Sequence, residues 1–243
     1  MNFTLLQLPI LLPVFFWAGY HYYKDRHLPE PIGHLILAFL LGVGTSYLSL
    51  FFYQSLDLIN LRFDAFLLAE TDPFGLFIYA VLAIGPIEEL AKMIPFLLVV
   101  IRFKEFNEPI DGIIYASFIA LGFAAVENVQ YLQFLSNSEA FARGFAGPVV
   151  HIVFASIWGY YIGRAYLCKK RLYLAVVVAF LFTALLHGIY DFIVIAMPGP
   201  ALPIAALLIA GLWIWRLFLI RDLHTLPSGP CPVEEDVVSP KKS

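Results

Sequence analysis

The sequence predicts an all-α fold: a polytopic membrane helix bundle with about seven transmembrane helices, an outside N-terminus and a cytoplasmic C-terminus. The first observation is composition, since the 243 residues are 61% hydrophobic and 14% charged, with a mean hydropathy of +0.82. No soluble domain needs so much apolar surface, so the lipid bilayer is the expected solvent. The second is the presence of seven apolar stretches, and the third is a strong asymmetry of loop cations. A net charge of -3 does not suggest a nucleic-acid partner.

Each predicted span is an apolar stretch of roughly 20 residues, the length that crosses the hydrocarbon core. Pro73, Pro109 and the Pro198–Gly199–Pro200 turn separate neighbouring stretches, because proline breaks or begins helices. The predicted spans cover residues 4–23, 32–56, 74–101, 110–135, 143–166, 172–197 and 200–220. Residues 1–225 are therefore expected to form one transmembrane domain. Residues 226–243 are Pro-rich and acidic and are expected to be a disordered cytoplasmic tail.

The loop cations predict the orientation, because cytoplasmic loops of membrane proteins carry the excess of Lys and Arg. With seven spans, one side holds only Arg62 and Arg143, and Lys92 lies inside a span. The opposite, cytoplasmic side holds Lys24, Arg26, Arg102, Lys104, Arg164, Lys169, Lys170, Arg171, Arg216, Arg221, Lys241 and Lys242.

Seven ionisable residues lie away from the ends of the apolar spans, where each costs roughly 2.5–3.5 kcal/mol on insertion scales and commonly marks function. They are Glu88, Glu89, Lys92, Glu127, His151, His187 and Asp191. At about 1.5 Å of rise per residue, the acidic and histidine side chains on four helices lie roughly 9–21 Å from the outer surface. We therefore expect a shared polar cavity that opens toward the outer face.

Spacing within each helix predicts local pairs. Glu88 and Lys92 are i,i+4 neighbours, as are His187 and Asp191. Pro86 removes a backbone hydrogen bond and allows a kink beside the glutamates. The small-residue run 121–125 lets another helix approach closely just before Glu127.

Several alternatives remain open on the residues alone. A Glu–Lys pair in a membrane helix is as often structural as catalytic, and a lone histidine such as His151 is more often a packing residue. A proton-coupled transporter would also use membrane carboxylates and histidines, although no inverted repeat is visible in the sequence. A non-enzymatic scaffold, whose polar cluster only holds helices together, is a third class.

Three motifs resemble the PrsW family of intramembrane proteases, within the wider superfamily of CAAX-type prenyl endopeptidases. They are Glu-Glu-x-x-Lys at 88–92, Phe-x-x-x-Glu at 123–127 followed by Asn128, and His-x-x-x-Asp at 187–191. The resemblance implies hydrolysis of membrane-anchored protein substrates in the plasma membrane of a prokaryote. Family members are similar to a protease that cuts an anti-sigma factor on its extracytoplasmic side.

With this resemblance, the predicted catalytic residues are Glu88, Glu89, Glu127, His187 and Asp191, supported by Lys92, Asn128 and His151. Glu88 is the expected general base, with Glu89 positioning water or shifting the titration of its neighbour. Glu127 and His187 would hold the water or a metal, or His187 and Asp191 would donate to the oxyanion. A divalent metal such as zinc has Glu127, His151, His187 and Asp191 as candidate ligands, although no His-Glu-x-x-His run is present.

Overall fold

The computed structural model describes residues 3–24, 28–131, 137–196 and 202–225, and these residues form helices and connecting turns with no strand. The helices are α1 (Phe3–Lys24), α2 (Ile32–Asp57), α3 (Ala65–Thr71), α4 (Pro73–Tyr79), α5 (Gly85–Leu98), α6 (Pro109–Tyr131), α7 (Asn137–Leu167), α8 (Leu172–Ala196) and α9 (Leu202–Thr225). A π-helical turn at Ala80–Ile84 joins α4 to α5, and a 3₁₀ turn at Val100–Arg102 follows α5.

Among the described residues, five helices are long and apolar enough to cross a membrane: α2, α6, α7, α8 and α9. The prediction of an all-helical membrane protein is therefore confirmed. The predicted spans 4–23 and 74–101 are not among these five, so the count of seven and the orientation stay predictions. The predicted tail at 226–243 lies outside the described residues.

The predicted span 74–101 differs most from the structure, since α4, the π turn, α5 and the 3₁₀ turn replace one regular helix. Pro86 follows the π turn directly and has no N–H to continue the α-helical ladder, which accounts for a change of helical winding at this point. The sequence interpretation also missed α3, a short helix whose first turn is capped by the Asp64 carboxylate, which accepts from the backbone N–H of Phe66 and Leu67.

Helix α6 lies at the centre of the bundle and packs against α2 on one side and α7 on the other. Almost its whole length is buried, from Pro109 to Asn128. An apolar helix covered on all sides is typical of the core of a bundle. Helices α2 and α8 expose much more of their apolar surface, as helices that face lipid do.

Glycines let α2 and α6 approach closely, as the small-residue run predicted. A Cβ atom at Gly122 would overlap the carbonyl oxygen of Phe39, and one at Gly42 would overlap that of Ile119. Because backbone contacts backbone here, no flexible side chain can move aside to make room. The short distance between α2 and α6 therefore requires glycine, which has no Cβ atom, at both positions.

We expect Gly42→Ala to destabilise the protein by about 1–3 kcal/mol, because the added methyl group overpacks the α2–α6 contact. Gly44→Ala in the same helix is the matched control, since a Cβ there meets nothing within 4 Å. The measurement is thermal unfolding of both purified variants in detergent. Equal unfolding midpoints for the two variants would show that the close contact does not limit stability.

Candidate active site

A cavity of about 300 Å³ opens between α2, the residues around α3, the start of α5 and the ends of α6 and α8. Its wall combines aromatic side chains with ionisable groups from separate helices. The polar and ionisable residues that line it are Ser46, Ser49, Tyr53, Arg62, Tyr79, Glu88, Glu127, Gln130, Tyr131 and Asp191. Three of the predicted catalytic residues therefore share one cavity.

Close packing of α5 against α8 places the glutamates beside His187. A Cβ atom at Gly85 would overlap the carbonyl oxygen of Ala184, and one at Gly188 would overlap that of Ala80. The two backbones thus touch one turn before Glu88 and Glu89, and one residue after His187. Side chains of ordinary length then meet across this contact.

The Glu89 carboxylate is fully buried and accepts hydrogen bonds from three helices. Its Oε1 atom accepts from Lys92 Nζ at 2.6 Å and from His187 Nδ1 at 2.7 Å. Its Oε2 atom accepts from Trp158 Nε1 at 2.8 Å. A buried carboxylate with this many donors, one of them an ammonium, is compensated in both charge and hydrogen bonding.

Glu88 has a different environment, because its side chain reaches the cavity. Its Oε1 atom accepts a hydrogen bond from the Tyr53 hydroxyl at 3.3 Å, whereas its Oε2 atom has no hydrogen-bond partner. That Oε2 atom lies 3.6 Å from His187 Nε2. Asp191 Oδ2 lies at the same distance, 3.6 Å, from His187 Nε2. Since Glu89 accepts from Nδ1, His187 carries a proton there and turns Nε2 toward the two carboxylates.

A second group of contacts surrounds His151. Its Nε2 atom lies 2.6 Å from Glu127 Oε2 and its Nδ1 atom 3.2 Å from Lys92 Nζ. Because the ammonium group only donates, Nδ1 accepts from Lys92 and the ring proton sits on Nε2, toward Glu127. Arg143 donates to Glu127 Oε1 at 2.9 Å and stacks on the Tyr131 ring.

The structure thus brings together Glu88, Glu89, Lys92, Glu127, His151, His187 and Asp191 in one network. The His187–Asp191 pair forms as its spacing predicted. The predicted pairing of Lys92 with Glu88 is wrong, because Lys92 binds Glu89 at i,i+3 instead. The ordinary turn of a helix allows either pairing, and only the packing of α7 and α8 selects one.

Two other predicted roles stay predictions. Glu127 contacts His151 and Arg143 directly, and the water or metal that it was expected to hold with His187 is not tested by these contacts. Asn128 is buried against α7, where its Oδ1 atom would lie 3.1 Å from a Cβ at Gly147. It does not line the cavity. Its supporting role stays a prediction.

Sequence reasoning missed three side chains that hold the glutamates: Tyr53 on Glu88, Trp158 on Glu89 and Arg143 on Glu127. The sequence offered one indication for Tyr53 and Trp158: each ring carries a polar atom, and such an atom usually forms a hydrogen bond when it is buried. Arg143 was visible only as an outer-loop cation. Arg62, the other outer cation, lines the cavity, and the Asp57 carboxylate that it hydrogen-bonds raises its pKa.

Glu88, His151 and His187 form a candidate metal centre, because one ligand atom from each lies within 4.8 Å of the others. The trio contains two of the four predicted ligands, His151 and His187. It has Glu88 in place of the predicted carboxylates Glu127 and Asp191. A His₂Glu donor set is that of catalytic zinc sites, and the unpartnered Glu88 Oε2 atom suits a ligand. The residues therefore fit a divalent metal. Ligation by His151 would first require a free lone pair, because its Nδ1 atom accepts from Lys92 and its Nε2 atom carries the ring proton.

This arrangement defines a class of protein: a helical membrane protein with a buried carboxylate–imidazole centre suited to hydrolysis. The family model "PrsW family intramembrane metalloprotease" matches residues 30–218. The chain belongs to this family and is a peptidase of the membrane. No solved structure matches it.

Relatives named "Protease PrsW" are similar over most of the chain. That of Oceanobacillus iheyensis is 32% identical over 211 residues, which cover 87% of this chain and 92% of the relative. That of Clostridioides difficile is 34% identical, covering 79% and 78%. That of Bacillus subtilis is 30% identical, covering 74% and 78%. These bacterial relatives suggest a prokaryotic membrane and do not favour the transporter alternative.

We expect Lys92→Met to destabilise the protein by about 3–5 kcal/mol, because the Glu89 carboxylate then stays buried without its ammonium partner. The double variant Lys92→Met/Glu89→Gln should recover much of this loss, since no uncompensated charge remains. Unfolding by SDS in mixed micelles measures both free energies of unfolding. If the double variant is as unstable as Lys92→Met alone, charge compensation is not what the lysine provides.

Proposed function

We propose that this protease cleaves membrane-anchored protein substrates, such as an anti-sigma factor, near the extracytoplasmic face, using a water activated by Glu88. One observation carries the assignment. Of two adjacent carboxylates, Glu89 is saturated by three donors, whereas Glu88 lines the cavity and its buried Oε2 atom has no hydrogen-bond partner. A general base needs a free lone pair within reach of the proton that it removes, and only Glu88 of the pair offers one.

The water is proposed to lie between Glu88, His187 and Asp191. His187 Nε2 lies 3.6 Å from both carboxylates, beyond direct hydrogen-bond distance but suited to a bridging water. Glu88 would take the proton from this water as it attacks the scissile carbonyl carbon. When the tetrahedral intermediate collapses, Glu88 would return that proton to the leaving amine.

Hydrogen-bond donors around the cavity would stabilise the developing oxyanion. His187 is fixed by Glu89, so a protonated Nε2 stays aimed at the reacting atoms without reorganisation. Tyr53 holds the other oxygen of Glu88 and thereby orients the base. Glu127 and Arg143 would keep His151 and the cavity mouth in place through their ion pairs.

A divalent metal, if bound, would be held by Glu88, His151 and His187, and Glu88 would then serve as a ligand in place of the base. It would lower the pKa of a coordinated water and polarise the substrate carbonyl. Glu89 would then accept the hydrogen bond from His187 Nδ1–H and orient the ring, as carboxylates commonly do behind metal-bound histidines.

Two cations support the extracytoplasmic position of the cut. Arg62 and Arg143 are the only loop cations on the predicted outer side, and both lie at this site: Arg62 lines the cavity and Arg143 binds Glu127. Under the loop-charge rule, the cavity then opens toward the outer face. A membrane-anchored substrate would meet the site close to where its chain leaves the bilayer.

Glu88→Gln keeps the size of the side chain but removes the base, so we expect cleavage of a reconstituted membrane substrate to fall by 10²-fold or more, in the range of about 10²–10⁴ for lost acid–base catalysis. Thermal unfolding should stay near that of the parent protein. Glu70→Gln is the control, since Glu70 is an exposed carboxylate at the end of α3. Parental cleavage rates in Glu88→Gln would remove Glu88 from the proposed role.

We expect purified protein to bind zinc or a similar divalent ion, measured by elemental analysis after dialysis against the metal. His187→Gln should lose the metal, whereas Glu70→Gln should retain it. Metal retention should fall as pH decreases, because protons compete for the imidazole lone pairs. Equal metal content in parent and His187→Gln would rule out this site, whatever their activities.

A further inference from the structure

A second buried polar centre surrounds Arg216 in α9, away from the catalytic cavity. The sequence places Arg216 among the cytoplasmic cations. In the structure Arg216 instead faces the bundle, and its side chain is fully buried. Its Nε atom donates to Ser156 Oγ of α7 at 2.7 Å, and its Nη2 atom donates to Ser117 Oγ of α6 at 3.1 Å. One side chain therefore connects three helices.

The two serines and the Tyr20 side chain supply hydrogen bonds to Arg216, but none of them carries the formal negative charge that would balance it. Each serine hydroxyl donates its own proton to a backbone carbonyl one turn earlier, Ser117 to Ile113 and Ser156 to Ile152. None of the ion pairs in the described part of the chain includes Arg216. Its Nη1 atom has no hydrogen-bond partner. A buried membrane guanidinium without a counter-ion is costly, so a missing anionic partner is indicated.

His21 adds a second unpartnered atom to the same region. It is buried in the last turn of α1, and its Nδ1 atom lies 2.6 Å from the carbonyl oxygen of Trp17. Since a carbonyl oxygen only accepts, the ring proton sits on Nδ1. The Nε2 atom has no partner and presents a lone pair. This atom suits a hydrogen-bond donor carried by the same ligand.

Aromatic rings close the seam between α1 and α9 in front of Arg216. Trp213 packs 5.3 Å from Trp17 and 5.7 Å from Tyr20, measured between ring centroids. The Arg216 guanidinium lies 5.1 Å from the Trp213 ring centroid. All three rings are partly exposed, so the seam borders the surface of the bundle. Movement of these side chains gives a ligand a path to Arg216.

We propose that Arg216 and His21 form a binding site for a phosphate-type oxyanion, held between α1 and α9. With Nε and one Nη2 hydrogen used by the serines, the unpartnered Nη1 atom faces a phosphate beside the Tyr20 hydroxyl, and rotation of that hydroxyl frees the Nη1–Nη2 edge for two oxygens, the paired geometry that arginine favours. A hydroxyl next to the phosphate would donate to His21 Nε2. Such chemistry is carried by a phosphatidylglycerol headgroup or by free hydrogen phosphate.

The test is thermal unfolding of the delipidated full-length protein in detergent with one of three additions: phosphatidylglycerol, diacylglycerol of the same chains, or inorganic phosphate. We expect phosphatidylglycerol to raise the midpoint by about 2–4 °C and diacylglycerol to leave it unchanged. The same rise with inorganic phosphate alone would identify the free ion as ligand. No rise with either phosphate compound overturns the proposal.

Substitutions show whether the shift arises at this site. Arg216→Gln should lose the ligand-dependent rise, whereas Arg221→Gln, an exposed cation on the same helix, should retain it. Because Arg216→Gln also removes the hydrogen bonds that connect three helices, Ser117→Asp provides a test that does not depend on the stability of that variant. Its carboxylate would neutralise Arg216 from within, raise the midpoint without ligand and abolish the ligand-dependent rise, and Ser117→Asn would do neither. A ligand-dependent rise that persists in Ser117→Asp would contradict the site.

Discussion

The hydrogen bonds of Glu89 are the interaction on which the rest of the site depends. A carboxylate removed from water in a membrane bundle is stable only with its charge and lone pairs matched, and here donors from α5, α7 and α8 match them. The same bonds orient His187 and hold Lys92 between Glu89 and His151. Structural compensation of one carboxylate thus preorganises the groups that face the cavity.

Adjacent glutamates perform different tasks because successive residues of a helix point about 100° apart. Glu89 points into the protein, where Trp158 and Lys92 surround it, whereas Glu88 points to the cavity beside Tyr53. Because the backbones are in close contact at Gly85 and Gly188, side chains from one turn of α5 reach both the protein interior and the cavity. The π turn immediately before Gly85 belongs to the same region, as π turns at functional sites often do.

Two polar centres lie along α6 and α7, and they contrast in charge balance. Around Glu89, several carboxylates lie beside the cations Lys92 and Arg143 and beside two imidazoles. Around Arg216, two neutral hydroxyls and a histidine accompany one cation. In the first centre, Glu89 and Glu127 are paired with Lys92 and Arg143 of the same chain. The second requires a partner from outside, which is consistent with binding.

Much of the helical framework follows from sequence because apolar length and proline positions are local properties. Helices α2, α6 and α8 begin and end within a few residues of the predicted spans. Helix α3 and the broken path around Ala80–Ile84 do not follow, since a short capped helix and a π turn depend on how neighbouring segments pack. The gathering of ionisable residues from separate helices was predictable from their common depth.

The sequence by itself determined which ionisable residues interrupt apolar stretches, and it predicted their common level because helical rise converts position into height. Tertiary structure alone decided their partners: Lys92 with Glu89, Glu127 with His151 and Arg143, and Trp158 with Glu89. The physical reason is that the sequence does not define the rotation of each helix about its own axis. Periodicity relates residues within one helix, but the face that each helix turns to its neighbours is set by close packing at positions such as Gly85 and Gly122.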